Sequence, residues 1–141
     1  MSGVIDWDDQ FGTRAAHRLR EEIVVWLTTV TPAGAPLPRP VWFVWDGDES
    51  VLVYSQPGAR VRNIERNPRV TLNFDGDGRG GDIVVFSGGA MIDGDAPPAD
   101  RNAEYLARYD EHIDRIGMTP ATFARHYEVA VRIRLTRLSG F

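Results

Sequence analysis

Residues 27–55, LTTVTPAGAPLPRPVWFVWDGDESVLVYS, contain the pattern that decides the fold. Three runs rich in β-branched and aromatic residues alternate with turn residues, which predicts consecutive antiparallel strands. Asp46-Gly47-Asp48 is a hairpin signal between the last two runs. Pro38 and Pro40 favour an edge strand or a bulge, because proline cannot donate a ladder hydrogen bond. The predicted strands are residues 23–30, 37–45 and 50–55.

Outside this stretch the chain supplies three further strands and several short helices. Six mostly antiparallel strands predict a mainly β fold, a small closed or nearly closed barrel. Side chains fill the interior of a barrel this small, so we expect any ligand outside it or between subunits. The further strands are predicted at 69–74, 82–93 and 129–138, with an N-terminal helix at about 9–22 behind an Asp8 or Asp9 cap. A helical insertion is predicted at about 97–127; its first helix starts at Pro97-Pro98 and has an apolar face that includes Tyr105 and Tyr109.

Composition restricts the class of protein. The 141 residues predict one domain, 1–141, and the absence of cysteine excludes disulfides and thiolate chemistry. No apolar run reaches the length of a membrane span and the N-terminus lacks a signal-peptide pattern, so we expect a cytoplasmic protein outside the membrane. The net charge of −4 argues against a nucleic-acid partner. The chain has arginine but no lysine, so an arginine in place of a lysine carries little functional meaning.

The segment YSQPGARVRNIERNPRV, residues 54–70, joins a strand to a helix that begins near Gly58. Free backbone N–H groups and the helix dipole make such a terminus suitable for an anion. The Ser55 hydroxyl and the Arg60 guanidinium, with Arg39 from the neighbouring strand, would complete the site. Clustered charges are more often a solvated helix face, with Glu65 pairing to neighbouring arginines, and the residues alone favour that interpretation.

The sequence contains no evident catalytic group carried by side chains. The loop 75–81 lacks two required calcium ligands, the histidines lack metal-ligand spacing, and Ser87 lies in a predicted strand. Tyr54, Tyr105 and Tyr127 are candidate proton donors that the sequence does not separate. We therefore assign no catalytic residue and no metal site, and expect a binding module or an enzyme whose cofactor carries the chemistry.

Motifs in combination resemble those of a known family. PVWF, the YS…R…N turn and helix, and NPRV are similar to the core of the pyridoxamine 5'-phosphate oxidase-like flavin-binding split barrels. Residues 74–92 and 116–141 resemble a subgroup of short F420-dependent reductases, and the resemblance runs from about Leu19 to Phe141. It implies a six-stranded antiparallel split β-barrel of the FMN-binding type, and a homodimer with the cofactor at the subunit interface.

The resemblance also implies which residues bind the cofactor. Its phosphate would be held from the second strand, from the end of the third strand and from the start of the following helix. The chain from Pro40 to Phe43 would pack near the ring, and Arg62, Arg66 or Arg39 would attract an anionic tail. The implied cofactor-binding residues are Arg39, Pro40, Val41, Trp42, Tyr54, Ser55, Arg60, Val61 and Arg62.

The cofactor implied by the resemblance is F420, with FMN as the alternative. F420 has an anionic phosphodiester and polyglutamate tail that suit the arginine-rich helix. The flavin-binding oxidases carry a fifth-strand glutamine that would fall near Ile83, and this chain has none there. The implied activity is hydride transfer between the deazaflavin and a small conjugated acceptor. An FMN-dependent oxidase, a non-catalytic flavin- or haem-binding protein and, least favoured, a nucleic-acid-binding barrel remain open.

The sequence also suggests self-association. Trp42, Phe43 and Trp45 follow one another in a predicted strand, and we expect them to leave much apolar surface exposed. A twofold-symmetric homodimer would cover that surface.

Overall fold

The computed structural model describes residues 4–141, which form seven strands and four α-helices. None of these helices is long and apolar enough to cross a membrane. The strands are β1 (Val25–Val30), β2 (Pro36–Val41), β3 (Val44–Trp45), β4 (Ser50–Ser55), β5 (Arg69–Asn73), β6 (Val84–Ile92) and β7 (Val129–Gly140). The helices are α1 (Gln10–Glu21), α2 (Ala59–Arg66), α3 (Ala103–Arg115) and α4 (Pro120–His126), with a 3₁₀ turn at Ala99–Arg101.

The strands form one antiparallel sheet that curls into a half-barrel. Their order is β2-β1-β5-β6-β7-β4-β3, which places β2 and β3 at opposite edges although they are almost continuous in the chain. The chain between them therefore brings the two edges of the curl together. Pro38 and Pro40 lie on β2, which pairs with β1 alone, so the prediction of an edge strand is confirmed.

The predicted strand 37–45 is interrupted, which is why the sheet has seven strands rather than six. The chain leaves the sheet at Trp42 and Phe43. There the Tyr109 hydroxyl accepts a hydrogen bond from the Phe43 N–H at 2.9 Å and lies 2.8 Å from the Ile23 carbonyl oxygen. A side chain from α3 thus satisfies the Phe43 backbone where a neighbouring strand would otherwise be needed.

The inward side of the sheet is filled by side chains, as predicted. Alternate residues of β4 and β7, among them Val51, Val53 and Ile133, are completely buried in this core. Helix α1 packs Ala15 and Leu19 against it. Of the two predicted caps the structure selects Asp9, whose side chain accepts a hydrogen bond from the Gly12 N–H.

The segment between β6 and β7 builds a second core on the outer face of the sheet. Leu52 and Tyr54 of β4 pack there against Tyr105 and Tyr109 of α3 and Phe123 of α4. The predicted helix start at Pro97-Pro98 is wrong for the α-helix, since a 3₁₀ turn comes first. The cap of α3 is the Asn102 side chain, which accepts a hydrogen bond from the Tyr105 N–H at 3.1 Å.

The aromatic surface expected around residue 43 is largely buried. Phe43 and Trp45 are 0% and 7% exposed and belong to the core, and Trp42 is half-buried against α3 and α4. The expectation of three exposed aromatic side chains is therefore wrong. Its physical reason is that both faces of this stretch are covered: Val41, Phe43 and Trp45 pack in the inner core, while Trp42 and Val44 pack in the second core against the helices.

Candidate functional site

A cleft of about 560 Å³ opens outside the filled core, where β4 ends and α2 begins. The edge strand β2 forms one wall of the cleft, and the turn 55–58 with the start of α2 forms another. Helix α4 closes the end of the cleft that is lined by aromatic side chains. The cleft thus brings together residues that are up to about a hundred positions apart in the sequence. The predicted cofactor residues that line it are Arg39, Pro40, Val41, Trp42, Tyr54, Ser55 and Arg60.

Two of the predicted residues, Val61 and Arg62, do not line the cleft. Val61 is half-buried beside it in the chain, and Arg62 is exposed. Each residue of a helix is rotated by about 100° from the one before, so the positions after Arg60 point elsewhere. Arg66 and Arg69 are also exposed and lie outside the lining. The structure therefore separates the arginine cluster into a cleft pair, Arg39 and Arg60, and a solvated set.

Arg60 is the cation at the centre of the site. It is half-buried, and its Nη1 donates a hydrogen bond to the Ser55 Oγ at 3.1 Å. Burial, followed by repulsion from the Arg39 guanidinium, lowers the pKa of Arg60 from its ordinary value, while Tyr127 acts in the opposite direction. Within residues 4–141 neither Arg39 nor Arg60 forms an ion pair with a carboxylate. The positive charge of the pair is therefore uncompensated.

The cleft is chemically suited to an anion rather than to a metal cation. No Asp or Glu is among the described residues that line it. In the part of the chain that the structure describes, no group of three His, Asp or Glu side chains is arranged to hold a metal ion. Oxygen and imidazole ligands would be needed for a cation, whereas guanidinium groups bind phosphate and carboxylate.

The start of α2 adds backbone donors to the same wall. Gly58 precedes the helix with φ 149°, a conformation that favours glycine, and no side chain caps this end. The first N–H groups of an α-helix lack partners inside the helix. Because Gly58, Ala59 and Arg60 all line the cleft, these donors lie next to the cationic pair.

Tyr54 and Ser55 are neighbours whose side chains point to opposite sides of β4. The Ser55 side chain is buried and its Oγ donates to the Gln56 carbonyl at 2.9 Å while accepting from Arg60. The Tyr54 hydroxyl instead donates to the Pro97 carbonyl at 2.6 Å and accepts from the Asn102 Nδ2 at 3.1 Å. The Tyr54 hydroxyl is thus engaged with the helical segment, although the residue contributes to the lining.

Two polar residues of the site were not identified from the sequence. Thr29 lines the cleft from β1 and is buried, and its Oγ1 accepts a hydrogen bond from the Asn63 Nδ2 at 3.3 Å. Asn63 lies one turn after Arg60 and is one of the two buried residues of α2. This bond holds α2 against β1. The available signal was an asparagine within an arginine-rich helix. Such an amide, when it is buried, is rarely without a hydrogen-bonding partner.

The opposite end of the cleft is aromatic. Trp42 stacks on Tyr109 with ring centroids 4.9 Å apart and on Phe123 with centroids 5.5 Å apart. Phe123 in turn stacks on Tyr127 at 4.4 Å. Phe43, which was expected near a bound ring together with Trp42, is in the core and cannot reach the cleft.

The structure separates the three candidate proton donors. Tyr105 is buried in the outer core outside the lining, and burial raises its pKa far above the ordinary value. Burial also raises the pKa of Tyr54, whose hydroxyl hydrogen is already donated to Pro97. Tyr127 lines the cleft, and its hydroxyl has no hydrogen-bonding partner within residues 4–141.

The curled antiparallel sheet, with a cationic cleft beside its edge strand, is the arrangement of a flavin-type split barrel. A family model described as pyridoxamine 5'-phosphate oxidase matches residues 12–139, which is most of the chain. The chain therefore belongs to the pyridoxamine 5'-phosphate oxidase family, and the fold class inferred from the resemblance is confirmed apart from the number of strands.

Solved structures share this fold. An F420 reductase is 26% identical, with a TM-score of 0.66, and the match covers 87% of this chain and 94% of that one. An FAD-binding protein from Mesorhizobium loti is 20% identical, with a TM-score of 0.64 and coverage of 89% and 88%. HutZ, a heme storage protein from Vibrio cholerae, is 17% identical, with a TM-score of 0.62 and coverage of 94% and 95%. No curated protein matches the chain.

Proposed function

We propose that the cleft binds the deazaflavin F420 and that the protein is an F420-dependent oxidoreductase acting on a small conjugated acceptor. The observation that carries this proposal is the pair Arg39 and Arg60, which share one cleft without a carboxylate partner. Holding two like charges near each other, one of them partly buried, is unfavourable in the free protein. A bound anion would relieve both effects.

The residues present fit a phosphate group. Arg60 uses one N–H on Ser55, and among the described residues 4–141 the rest of its planar fork has no partner, so it can form two parallel bonds to phosphate oxygens. Backbone N–H groups at the start of α2 would bind the same anion. Arg39 now donates to the Pro38 carbonyl at 2.8 Å, an exposed contact that it can exchange for a phosphate. Arg62 and Arg66 would attract an anionic tail, each weakly because both are exposed.

When bound, F420 would supply the hydride to the acceptor. The chain's own residues would bind and orient the cofactor and exclude water. Pro40, Val41 and Trp42 offer an apolar wall between the phosphate site and the outer core. A dry wall at this place strengthens the electrostatic contacts inside the cleft and protects the transferred hydride from solvent.

F420 is favoured over FMN for two reasons. The F420 reductase, at 26% identity, is similar beyond the shared fold, whereas the FAD-binding structure is below 25%. Ile83, near which the glutamine of the flavin-binding oxidases would fall, precedes β6 and is half-buried, and this chain has no glutamine there. FMN remains the alternative, since the same phosphate contacts would serve either cofactor.

We further propose a homodimer that places the cofactor at the interface. The cleft is bordered by β2, an edge strand with one neighbour, and by Val24, which is 37% exposed. A second copy packed against this border would cover the open side of the cleft and remove apolar surface from water.

A side-by-side titration tests the choice of cofactor. We expect F420 to bind more tightly than FMN, and F420 with its glutamate tail to bind more tightly than the tail-less deazaflavin at low salt, because Arg62 and Arg66 act only on the tail. Fluorescence of the deazaflavin and absorbance of FMN report the two equilibria. Tighter binding of FMN would overturn the cofactor assignment, and equal affinity for the two deazaflavins would remove the role of the exposed arginines.

A further inference from the structure

Phe123 and Tyr127 line the cleft but are not among the donors of the proposed phosphate site. Both come from the helical insertion, Phe123 from α4 and Tyr127 from the residue directly after it. The cleft therefore has two chemically different ends. One is cationic, at Arg39 and Arg60, and the other is aromatic.

The aromatic end is a column of four stacked rings. Tyr109 and Trp42 are inclined by 9°, Trp42 and Phe123 by 16°, and Phe123 and Tyr127 by 22°. Each ring is therefore nearly parallel to the ring on which it stacks. Offset stacking of this kind is one of the favoured arrangements of aromatic pairs.

The base of the column is immobilised and its other end is open. Tyr109 is completely buried, and its hydroxyl bonds to the Phe43 N–H and approaches the Ile23 carbonyl. Tyr127, at the other end, is half-buried and lines the cleft. Because Phe123 covers one face of the Tyr127 ring, the part that remains accessible is available to a molecule in the cleft.

We propose that this end of the column is the acceptor subsite, that it takes a flat conjugated or aromatic molecule by extending the stack, and that Tyr127 is its specificity-determining residue. The inference rests on the proposed function, in that the arginine end is assigned to the cofactor phosphate. A flat molecule gains a stacking contribution of roughly two- to twelvefold in affinity over a saturated molecule of the same skeleton. The subsite thus selects by planarity rather than by charge.

The test compares two neutral probes with one carbon skeleton, 2-naphthol and decahydro-2-naphthol, by calorimetry on the full chain without cofactor. The wild type is expected to favour the flat probe. Tyr127→Leu should reduce that preference by roughly two- to twelvefold, and Tyr127→Phe should retain it, because the ring and not the hydroxyl does the stacking. Tyr127→Met provides a second non-aromatic variant if the leucine protein does not fold.

F420 titrations on the same proteins separate this inference from the proposed function. Tyr127→Leu should reduce F420 affinity less than it reduces the preference for 2-naphthol, although Tyr127 lies near enough to Arg60 to raise the pKa of that guanidinium. If the wild type binds no F420 but keeps a ring-dependent preference for 2-naphthol, the cofactor assignment fails and the planar subsite stands. If the non-aromatic variants keep the preference, the subsite is wrong. Equal losses of F420 and 2-naphthol binding would also overturn it, by placing Tyr127 in the cofactor site.

Discussion

At the scale of single residues, two consecutive residues of α3, Arg108 and Tyr109, form hydrogen bonds that hold distant parts of the chain together. Arg108 donates to the carbonyl oxygens of Arg20, at 2.9 Å, and Glu22, where α1 ends and its last carbonyls lack helical partners. The Tyr109 hydroxyl accepts a hydrogen bond from the Phe43 N–H. The sequence predicted Tyr109 on the apolar face of a helix, but a period of 3.6 residues says nothing about where a hydroxyl bonds.

The Tyr109 hydroxyl is therefore expected to contribute to stability beyond its ring. Tyr109→Phe would leave the buried Phe43 N–H without a partner, at a cost of roughly 1–3 kcal/mol in the free energy of unfolding. Tyr127→Phe removes a hydroxyl that has no partner within residues 4–141, so it is the matched control and should change stability by less than about 0.5 kcal/mol. Urea unfolding measures both, and equal effects would refute the bridging role of Tyr109.

The site residues differ in whether a local pattern of the sequence predicts them. Ser55 and Arg60 were found because a strand, a glycine turn and a helix are local patterns, and the structure places both in one cleft. Thr29 and Tyr127 were not included in the predicted site. Their contribution depends on which strands and helices become neighbours, and this information is not local.

At the scale of secondary structure elements, most helices and strands follow from periodicity and turn residues. The break in the strand at Trp42 does not follow from these patterns, because the apolar run of the sequence continues through it. The packing of α3 interrupts the strand pairing there. A second irregularity is the bulge where β6 meets β7: Ser87 pairs with Arg137 and Gly88 with Leu135, which leaves Thr136 as the extra residue. Its Oγ1 donates to the Ser87 carbonyl at 3.1 Å.

The bulge predicts different effects for two adjacent glycines. A methyl group at Gly88 would collide with the carbonyl oxygen of Arg134, whereas one at Gly89 would meet nothing within 4 Å. Gly88→Ala should therefore destabilise the protein by roughly 1–3 kcal/mol or more, since backbone must move, and Gly89→Ala should stay within about 0.5 kcal/mol of the wild type. Thermal unfolding of the two variants measures this difference in stability. Similar melting temperatures would show that the strands do not approach so closely at Gly88.

At the scale of the whole molecule, the class of fold was predictable from the sequence, but the long-range contacts that assemble the sheet were not. Alternating runs and hairpin turns identified an antiparallel barrel with a filled interior. The pairing of β4 with β7, and the packing of the helical segment on the outer face of β4, join residues far apart in the chain. No turn signal encodes such contacts, so the aromatic end of the cleft became visible only in the assembled structure.

Self-association is the prediction that belongs to this scale. We expect twice the chain mass of 15.8 kDa in solution, because a second copy would cover β2 and the open side of the cleft. Light scattering with and without F420 measures it. A monomer that binds F420 with undiminished affinity would contradict the placement of the cofactor at a subunit interface.

The central claim is that Arg60 anchors an anionic phosphate in the cleft while the exposed arginines of the same helix do not. Its most direct test is F420 affinity, measured by fluorescence at low and high salt, for the wild type, Arg60→Ala and the matched control Arg66→Ala. Arg60→Ala should cost roughly 1.5–3 kcal/mol, about ten- to a hundredfold in affinity, and the loss should persist at high salt. Arg66→Ala should cost less than about 1 kcal/mol, and salt should reduce the loss further. Equal losses in the two variants, or no loss in Arg60→Ala, would contradict the assignment of the phosphate site.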